Sequence, residues 1–244
     1  MKTIGILGGM SASSTILYYQ ILCELIRQCF GGLHSPQLLI RSLDFAPIAA
    51  LQAAGDWDAA TAILNAAALD LERGGADILL LATNTMHKVA EEMMKGVSVP
   101  LLHLADATAS RIRAHGLVGG AEDAAGRGIL RRPGLIATRF TMEQSFYLDR
   151  LRAAGLEPVA PDEKDREDIH RIIYDELCKG VIRKESEEMY VDIAERLVVQ
   201  GGADCLILGC TEVGMLLGQR NVSVPVFDTT RIHCEEAVRM AMDV

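Results

Sequence analysis

Short hydrophobic runs alternate with longer amphipathic segments along this chain of 244 residues. The runs that predict β-strands are Thr3–Leu7, Gln37–Ile40, Asp77–Leu81, Pro100–Leu102, Gly134–Ala137, Pro158–Val159, Cys205–Leu208 and Pro225–Phe227. Between them, hydrophobic residues recur at helical spacing, as over 169–177, where Gly180 is placed to end the helix. A second such pattern covers 189–197 and is closed by Gly201. This alternation predicts an α/β fold in which helices cover parallel β-sheets.

One strand-loop-helix module occurs twice in the chain. The tetrapeptide Gly-Gly-Ala-Asp begins at residue 74 and again at residue 201, an offset of 127 (201 minus 74). At that offset Thr83 is equivalent to Cys210. A second tetrapeptide, Val-Ser-Val-Pro, follows each copy, beginning at residues 97 and 222. The repeat predicts two similar doubly wound parallel-sheet lobes related by pseudo-twofold symmetry, with the active site in the cleft between them.

The same pattern suggests the domain boundaries. We expect an N-terminal lobe over residues 1–102, joined by a C-terminal helix over 229–244, and a second lobe over 103–228. The segment 117–132 is rich in Gly, Ala and charged residues and lacks periodicity, which is typical of a flexible surface insertion. A glycine-rich phosphate loop is a less favoured interpretation of it, because no strand leads directly into the segment.

Charge and cysteine content narrow the class of protein. The formal net charge is −9, with no long basic run, which argues against a nucleic-acid or anionic-membrane partner. The six cysteines form no CxxC pair and no disulfide-scaffold spacing. The N-terminal apolar run is too short for a signal peptide, and no run reaches transmembrane length. We therefore expect a cytoplasmic protein with reduced thiols.

Four polar loops follow predicted strands, at 8–14, 83–85, 138–141 and 210–212. In parallel α/β sheets, ligands bind beyond the carboxyl ends of the strands. Hydroxyl, amide and thiol groups therefore converge where a site is expected.

Cys210 is the strongest nucleophile candidate. It stands at the end of a strand and precedes a short helical run over 213–217, where the helix dipole could lower the pKa of its thiol below the usual value of about 8.5. The alternative is a small buried core residue, which suits Cys205, inside its strand, better than Cys210.

The segment 8–15 is rich in Gly and Ser but lacks the G-x-G-x-x-G spacing of a dinucleotide site. Its glycines favour a close backbone approach, while Ser11, Ser13 or Ser14 caps the next helix. For His87 and His103 we favour a structural hydrogen bond, with general acid–base work as the less favoured alternative. The sequence shows no metal-binding spacing.

Six motifs together resemble the aspartate/glutamate racemase family over nearly the whole chain. They are GILGGMS, ATNTMHKV, VPLLHLADAT, LIATRFTM, LILGCTEV and PVFDTTRIH. The resemblance implies a cofactor-independent enzyme of two similar α/β lobes, usually a homodimer, with a small amino dicarboxylic acid as substrate. Family members normally place one cysteine in each lobe, and the two thiols serve opposite faces of the α-carbon.

This chain departs from the family pattern at one of those two positions. Cys210 matches the second cysteine, but Thr83 stands where the first is expected. Such a Thr/Cys pair is similar to a racemase subgroup that acts preferentially on L-aspartate and L-glutamate. The resemblance therefore implies Cys210 as the thiolate base, with Thr83, or a water that it holds, serving the opposite face.

The resemblance also implies the substrate-binding residues. Groups expected to bind the carboxylates or the ammonium are Asn84, Thr85, Thr141 and Thr211. Residues expected to line the N-terminal side of the pocket are Met10, Ser11 and Gln52. Lys179 could pair with a side-chain carboxylate. Glu212 could orient a cysteine or the substrate ammonium, or cap its turn.

Two other functions stay open at this point. A single-cysteine decarboxylase of arylmalonate type, or an isomerase of maleate type, would need only Cys210. A non-catalytic amino-acid-binding protein would need neither catalytic group.

Overall fold

The computed structural model describes residues 1–118 and 129–242. The chain folds into two compact units, Met1–Leu104 with His233–Val244, and Ala105–Ile232. The boundaries predicted after residues 102 and 228 lie two and four residues earlier than these divisions. Most of the predicted insertion, residues 119–128, lies outside the described residues.

The first unit is built on a four-stranded parallel sheet in the order β2-β1-β3-β4. Its strands are β1 (Ile4–Gly8), β2 (Leu38–Ser42), β3 (Ile78–Leu81) and β4 (Leu101–Leu102). Its helices are α1 (Ala12–Phe30), α2 (Phe45–Ala54), α3 (Trp57–Arg73) and α4 (Ala90–Met93), with a 3-10 helix at Thr85–Val89. The four strands predicted in this region are confirmed, each within two residues of its predicted ends.

Successive residues of the strands in this unit pack on opposite faces of the sheet. Ile4 and Ile6 enter a core with helix α1 and the C-terminal helix. Leu7, Leu79 and Leu81 enter a second core with α2, α3 and α4. Burial on both faces explains why these strands are continuous hydrophobic runs rather than alternating ones.

The second unit holds a three-stranded parallel sheet in the order β5-β6-β7. Its strands are β5 (Pro133–Ala137), β6 (Cys205–Gly209) and β7 (Val226–Asp228). Its helices are α6 (Arg139–Glu143), α7 (Ser145–Ala153), α8 (Glu163–Asp175) and α9 (Lys184–Val199), with 3-10 helices at Leu177–Lys179 and Val213–Met215. The chain passes between the units within α5 (Leu104–Val118) and α10 (Thr229–Met242).

Two predicted elements of the second unit are corrected. Pro158–Val159 is not a strand, because Val159 forms only an isolated parallel bridge with Gly134. The predicted helix over 169–177 ends earlier, at Asp175, and Leu177 begins a separate 3-10 turn. Gly180 adopts a left-handed conformation just past that turn, so it ends the 3-10 helix rather than the α-helix.

The repeated tetrapeptide forms the same packing in each unit. A side chain at Gly5 would lie 2.7 Å from the Cβ of Ala76, and one at Gly134 would lie 3.2 Å from the Cβ of Ala203. Each alanine of the repeat therefore packs against a glycine of the neighbouring strand, with no room for a larger pair. The same alanine–glycine contact thus occurs in both units. The predicted α/β class, with doubly wound parallel sheets, is confirmed.

The aspartate of each repeat binds the start of the neighbouring strand. The Oδ2 atom of Asp77 accepts the Thr3 N–H at 2.7 Å, and Oδ2 of Asp204 accepts the N–H groups of Arg131 and Arg132 at 2.6 and 2.9 Å. These bonds set the register of each strand pair and hence the level at which both strands end. In the described residues, no helix is both long and apolar enough to cross a membrane.

Candidate functional site

The loop after β1 approaches its neighbour too closely for any residue but glycine. Gly9 has a φ of +91°, and a Cβ there would lie 2.1 Å from the Leu43 carbonyl oxygen. The Gly9 N–H donates to the Thr15 hydroxyl at 2.7 Å. Ser11 caps α1, because its hydroxyl accepts the Ser14 N–H at 3.2 Å. The predicted serine cap is therefore confirmed.

Thr83, Asn84 and Thr85 follow the end of β3. Thr83 is half-buried, whereas Asn84 and Thr85 are each 5% exposed. The Thr83 carbonyl accepts a hydrogen bond from Nδ1 of His87 at 2.7 Å, and Nε2 of His87 accepts the Leu104 N–H at 3.2 Å. These two partners require a neutral ring with its proton on Nδ1. The predicted structural role of His87 is confirmed: its ring holds the loop that carries Thr83.

Met10 and Gln52 lie against the turn that follows this loop. The Gln52 amide donates to the sulfur of Met86 at 2.9 Å and is 3% exposed. Met10 and Met86 belong to the same core cluster. The three residues expected to line the N-terminal side, Met10, Ser11 and Gln52, are all buried within the first unit.

A buried histidine, His233, supports the same region from α10. Its Nδ1 accepts the Tyr18 hydroxyl at 2.8 Å, and its Nε2–H donates to the Leu102 carbonyl at 2.9 Å. Burial lowers the pKa of His233 to about 4, and the neighbouring His103 adds to this shift, while the bond to Leu102 opposes it. The sequence reasoning missed this residue, whose partner Tyr18 is 215 residues away along the chain.

The end of β6 brings a thiol, a hydroxyl and a carboxylate together. The Cys210 Sγ donates to Oε2 of Glu212 at 3.0 Å, and the Thr211 hydroxyl donates to the same oxygen at 2.5 Å. Cys210 is half-buried, while Thr211 and Glu212 are 8% and 5% exposed. The carboxylate is therefore held as the acceptor of the Cys210 thiol proton.

The expected acidification of Cys210 is wrong in this structure. Burial raises the pKa of the Cys210 thiol well above its ordinary value, and the charge of Glu212 and the bond to it raise the pKa further. The following helix is a single 3-10 turn, Val213–Met215, rather than the predicted run to residue 217. A dipole of one turn is too weak to oppose burial and a neighbouring carboxylate.

Thr141 lies in α6, directly after β5. It is fully buried, and its hydroxyl lies 3.2 Å from that of Thr138. Two buried hydroxyls at a strand end can bind a carboxylate, since each can donate one hydrogen bond.

Lys179 is exposed, and its Nζ lies 3.6 Å from a carboxylate oxygen of Asp175 on the preceding turn. A role toward a substrate stays a prediction for this residue. Its neighbour Cys178 is half-buried, and burial together with the charge of Glu212 raises the pKa of the Cys178 thiol to about 12. The sequence reasoning missed Cys178, whose only signal was its place beside Lys179.

No group of three or more His, Cys, Asp or Glu side chains in the described parts of the chain is arranged to hold a metal ion. The polar residues at the strand ends are instead hydroxyls, amides, one thiol and one carboxylate. Such groups suit a small zwitterion with carboxylates, which needs hydrogen-bond donors and an acceptor for its ammonium.

Comparisons with known proteins agree with this chemistry. The family model for Asp/Glu/Hydantoin racemase matches residues 7–237. A protein from Yersinia pestis, solved as a candidate Asp/Glu racemase, is 43% identical, with 100% of both chains covered and a TM-score of 0.87. An aspartate racemase homologue from Pyrococcus horikoshii OT3 is 34% identical, again with 100% of both chains covered, and has a TM-score of 0.83. The broad specificity amino-acid racemase RacX of Bacillus subtilis is 22% identical over 230 residues, which are 93% of this chain and 92% of RacX.

Proposed function

The chain belongs to the Asp/Glu/Hydantoin racemase family, and on that premise we propose that it interconverts the L and D forms of aspartate or glutamate. The proposed enzyme is cytoplasmic, homodimeric and independent of pyridoxal phosphate. The relatives named for aspartate and for Asp/Glu support the choice of a small amino dicarboxylic acid. The similarity to a broad specificity racemase makes other amino acids the first alternatives to test.

The observation that carries this proposal is the bond from the Cys210 thiol to the Glu212 carboxylate at the end of β6. In the absence of substrate the thiol keeps its proton, because its pKa is raised. A bound amino acid brings a positive ammonium group, and a positive charge nearby lowers the pKa of a thiol. We propose that Glu212 then accepts the thiol proton, and that the Cys210 thiolate removes the α-proton of the substrate.

Thr83 is proposed to serve the opposite face of the α-carbon. Its position in the first unit is equivalent to that of Cys210 in the second, since each is the second residue after a strand position paired in the same register, Leu81 and Leu208. A threonine hydroxyl has an acidity near that of water, whose pKa is about 15.7, so it cannot act as a resting base. When Cys210 removes the α-proton, Thr83, or a water that it holds, acts as the acid and donates its proton to the carbanion. Solvent then restores that proton, and the Cys210–Glu212 pair releases the proton that it gained to solvent.

The buried polar groups of the strand ends are proposed to bind the substrate. Asn84 and Thr85 from the first unit, and Thr141 and Thr211 from the second, supply amide and hydroxyl donors for carboxylates. Met10, Ser11 and Gln52 line the N-terminal side, and Lys179 pairs with a side-chain carboxylate when its contact with Asp175 opens.

Energetics limits how directional this enzyme can be. The two enantiomers have equal free energies in achiral solution, so kcat/KM must be equal for the two directions. The unequal Thr83 and Cys210 pair can divide kcat from KM differently for L and D substrates. It cannot make the reaction run one way.

The decisive experiment incubates each enantiomer of aspartate and glutamate with the protein in heavy water, and follows the α-proton by NMR and chirality in parallel. Loss of the α-proton with inversion is the expected result. Exchange with retention would show that only one face is served. Absence of exchange with every amino acid, together with tight aspartate binding, would favour the non-catalytic alternative, and decarboxylation of a malonate or isomerisation of maleate would favour the single-cysteine one.

A further inference from the structure

Helix α1 has two hydrophobic faces. One face, with Tyr18, Leu22 and Ile26, is fully buried in the core of the first unit. The opposite face carries Ile16, Tyr19, Cys23, Arg27 and Phe30, whose spacings of three and four residues place them in one stripe about 100° wide. Ile16, Tyr19 and Phe30 are 58%, 49% and 53% exposed. We call these five residues the outer stripe of α1.

Exposed hydrophobic residues concentrate around this stripe. Within the described part of the chain, five of the twelve exposed large hydrophobic residues lie between residues 16 and 40. Besides those of the outer stripe, they are Leu33, which is fully exposed, and Ile40, which is 42% exposed. Such a concentration of exposed large hydrophobic residues is typical of an interaction site.

We propose that a second copy of this chain covers the outer stripe, with α1 packed antiparallel to α1 of the partner subunit about a twofold axis at Cys23. The homodimer itself is part of the proposed function. The surface and the register stated here go further, and they do not depend on whether the protein is a racemase.

The order of residues along the stripe is self-complementary. In an antiparallel pair centred on Cys23, the residue numbers of two facing positions sum to 46. Position 16 therefore faces position 30 of the partner subunit, and position 19 faces position 27. Ile16 thus packs on Phe30 of the partner subunit, and the Tyr19 ring lies against the Arg27 guanidinium of the partner subunit, a cation–π pair. The symmetry makes each of these contacts twice, as an isologous interface requires.

The charges of the stripe also fit self-association. Arg27 faces Tyr19 rather than a second arginine, and the two Arg27 residues lie eight helical positions apart, about 12 Å along the axis. That separation exceeds the Debye length of about 8 Å at physiological salt, so their repulsion is largely screened. Glu24 accepts a hydrogen bond from Gln28 of the same helix at 2.8 Å, at the edge of the stripe.

The stripe alone is too small for a stable dimer. From position 16 to 30 it is about 21 Å long and about 10 Å wide, or roughly 200 Å² per subunit, against about 800 Å² per partner in stable complexes. The interface must therefore continue onto Leu33 and the edge strand β2. Leu38 of β2 borders the core beneath α1, and Ile40, two residues later, points to the same side of the sheet.

Sedimentation velocity tests the surface. The wild-type protein should sediment as a dimer, and Ile16→Glu should raise the dimer Kd by about 100-fold, because a charge enters the apolar contact between Ile16 and Phe30 of the partner subunit. Ile63→Glu is the matched control: Ile63 is 37% exposed on α3, outside the stripe, and its substitution should leave the mass unchanged. A monomeric wild-type protein, or a dimer insensitive to Ile16→Glu, would overturn the proposal.

Cysteine cross-linking tests the register. Helices packed 8–10 Å apart bring facing Cα atoms within about 3.5–5.5 Å, which a disulfide can span. Mild oxidation of the Cys29→Ser variant should therefore give a covalent dimer through Cys23, and the Cys23→Ser/Cys29→Ser double variant should give none. In that double-variant background, Ile16→Cys and Phe30→Cys should each fail to cross-link alone, since like positions lie about 21 Å apart. An equimolar mixture of the two should cross-link.

Self-cross-linking of Ile16→Cys alone, or no cross-link from Cys23, would contradict the stated register. Sedimentation and cross-linking test the dimer surface, whereas α-proton exchange in heavy water tests the racemase activity. Failure of one proposal is therefore distinguishable from failure of the other.

Discussion

The residues that follow β3 and β6 occupy equivalent backbone positions but differ in chemistry. Each of the two strands is preceded by the Gly-Gly-Ala-Asp repeat, and the equivalent residues after them are Thr83 and Cys210. At β6 the thiol donates to Glu212, two residues further on. At β3 the equivalent of Glu212 is Thr85, and the Thr83 carbonyl is instead held by His87.

This difference separates what the scaffold supplies from what one side chain supplies. The scaffold supplies register, since both strands end at levels set by Asp77 and Asp204. Reactivity depends on the local partner. The Glu212 carboxylate can accept the proton of the Cys210 thiol, whereas the Thr83 carbonyl, which accepts a hydrogen bond from neutral His87, cannot act as a base. The two strand ends are therefore equivalent in backbone register and differ in the hydrogen bonds of their residues.

Removing the Cys210 thiol, which distinguishes the end of β6 from that of β3, should have the largest effect on α-proton exchange. Cys210→Ser is expected to reduce α-proton exchange by about 10³- to 10⁴-fold, because a serine hydroxyl does not ionise at neutral pH and the reaction loses its base. NMR in heavy water measures the exchange. Cys29→Ser, a change at an exposed thiol, is the control and should retain the wild-type rate.

Buried His233 should make the first unit acid-sensitive. The folded-state pKa of His233 is about 4, below its unfolded value of about 6.5, so the unfolded chain binds the proton first as pH falls. Stability is therefore fully present above about pH 6.5 and falls by roughly 3 kcal/mol as the pH drops to about 4.

Denaturant unfolding between pH 7 and pH 4 measures this loss. The His233→Gln variant, whose amide can still donate and accept, should lose about 2–3 kcal/mol less over that range than the wild type. Equal losses for the two proteins would show that His233 does not titrate as its burial requires.

Replacing the Glu212 carboxylate should reduce turnover by Cys210 without abolishing it. In Glu212→Gln the pKa of Cys210 should fall, since a negative charge and an acceptor of the thiol proton are lost. Turnover should nevertheless fall about 30-fold, because the amide cannot accept that proton. The pH dependence of Cys210 alkylation and the exchange rate together test both outcomes, with the exposed Glu188→Gln as control. A raised pKa in Glu212→Gln would contradict the assignment.

Making the two strand ends alike should have the smallest effect. Thr83→Cys restores a second thiol and should raise D-to-L turnover about tenfold, or about 1.4 kcal/mol in barrier height. Polarimetry from the D enantiomer measures it. An unchanged rate would identify water, rather than residue 83, as the second acid.

Local and repeated features were predictable from the sequence. The strands, the Ser11 cap and the place of Cys210 follow from short-range patterns and from the offset of 127. Pro158–Val159 resembled a strand, but only Val159 pairs with a neighbour.

Features that depend on burial or on distant residues were not predictable. The pKa of Cys210 was expected to fall, because the helix dipole was visible in the sequence while burial and the position of the Glu212 carboxylate were not. His233 meets Tyr18 only because the C-terminal helix returns to the first unit. Neither contact leaves a periodic signal.

We propose that Cys210 and Thr83 serve opposite faces of one α-carbon, and the Thr83→Val variant tests this proposal most directly because valine keeps the shape and removes only the hydroxyl. In heavy water, the enantiomer whose α-proton is removed by Cys210 should still exchange with retention, while inversion should be lost. Inversion at the wild-type rate in Thr83→Val would contradict the account.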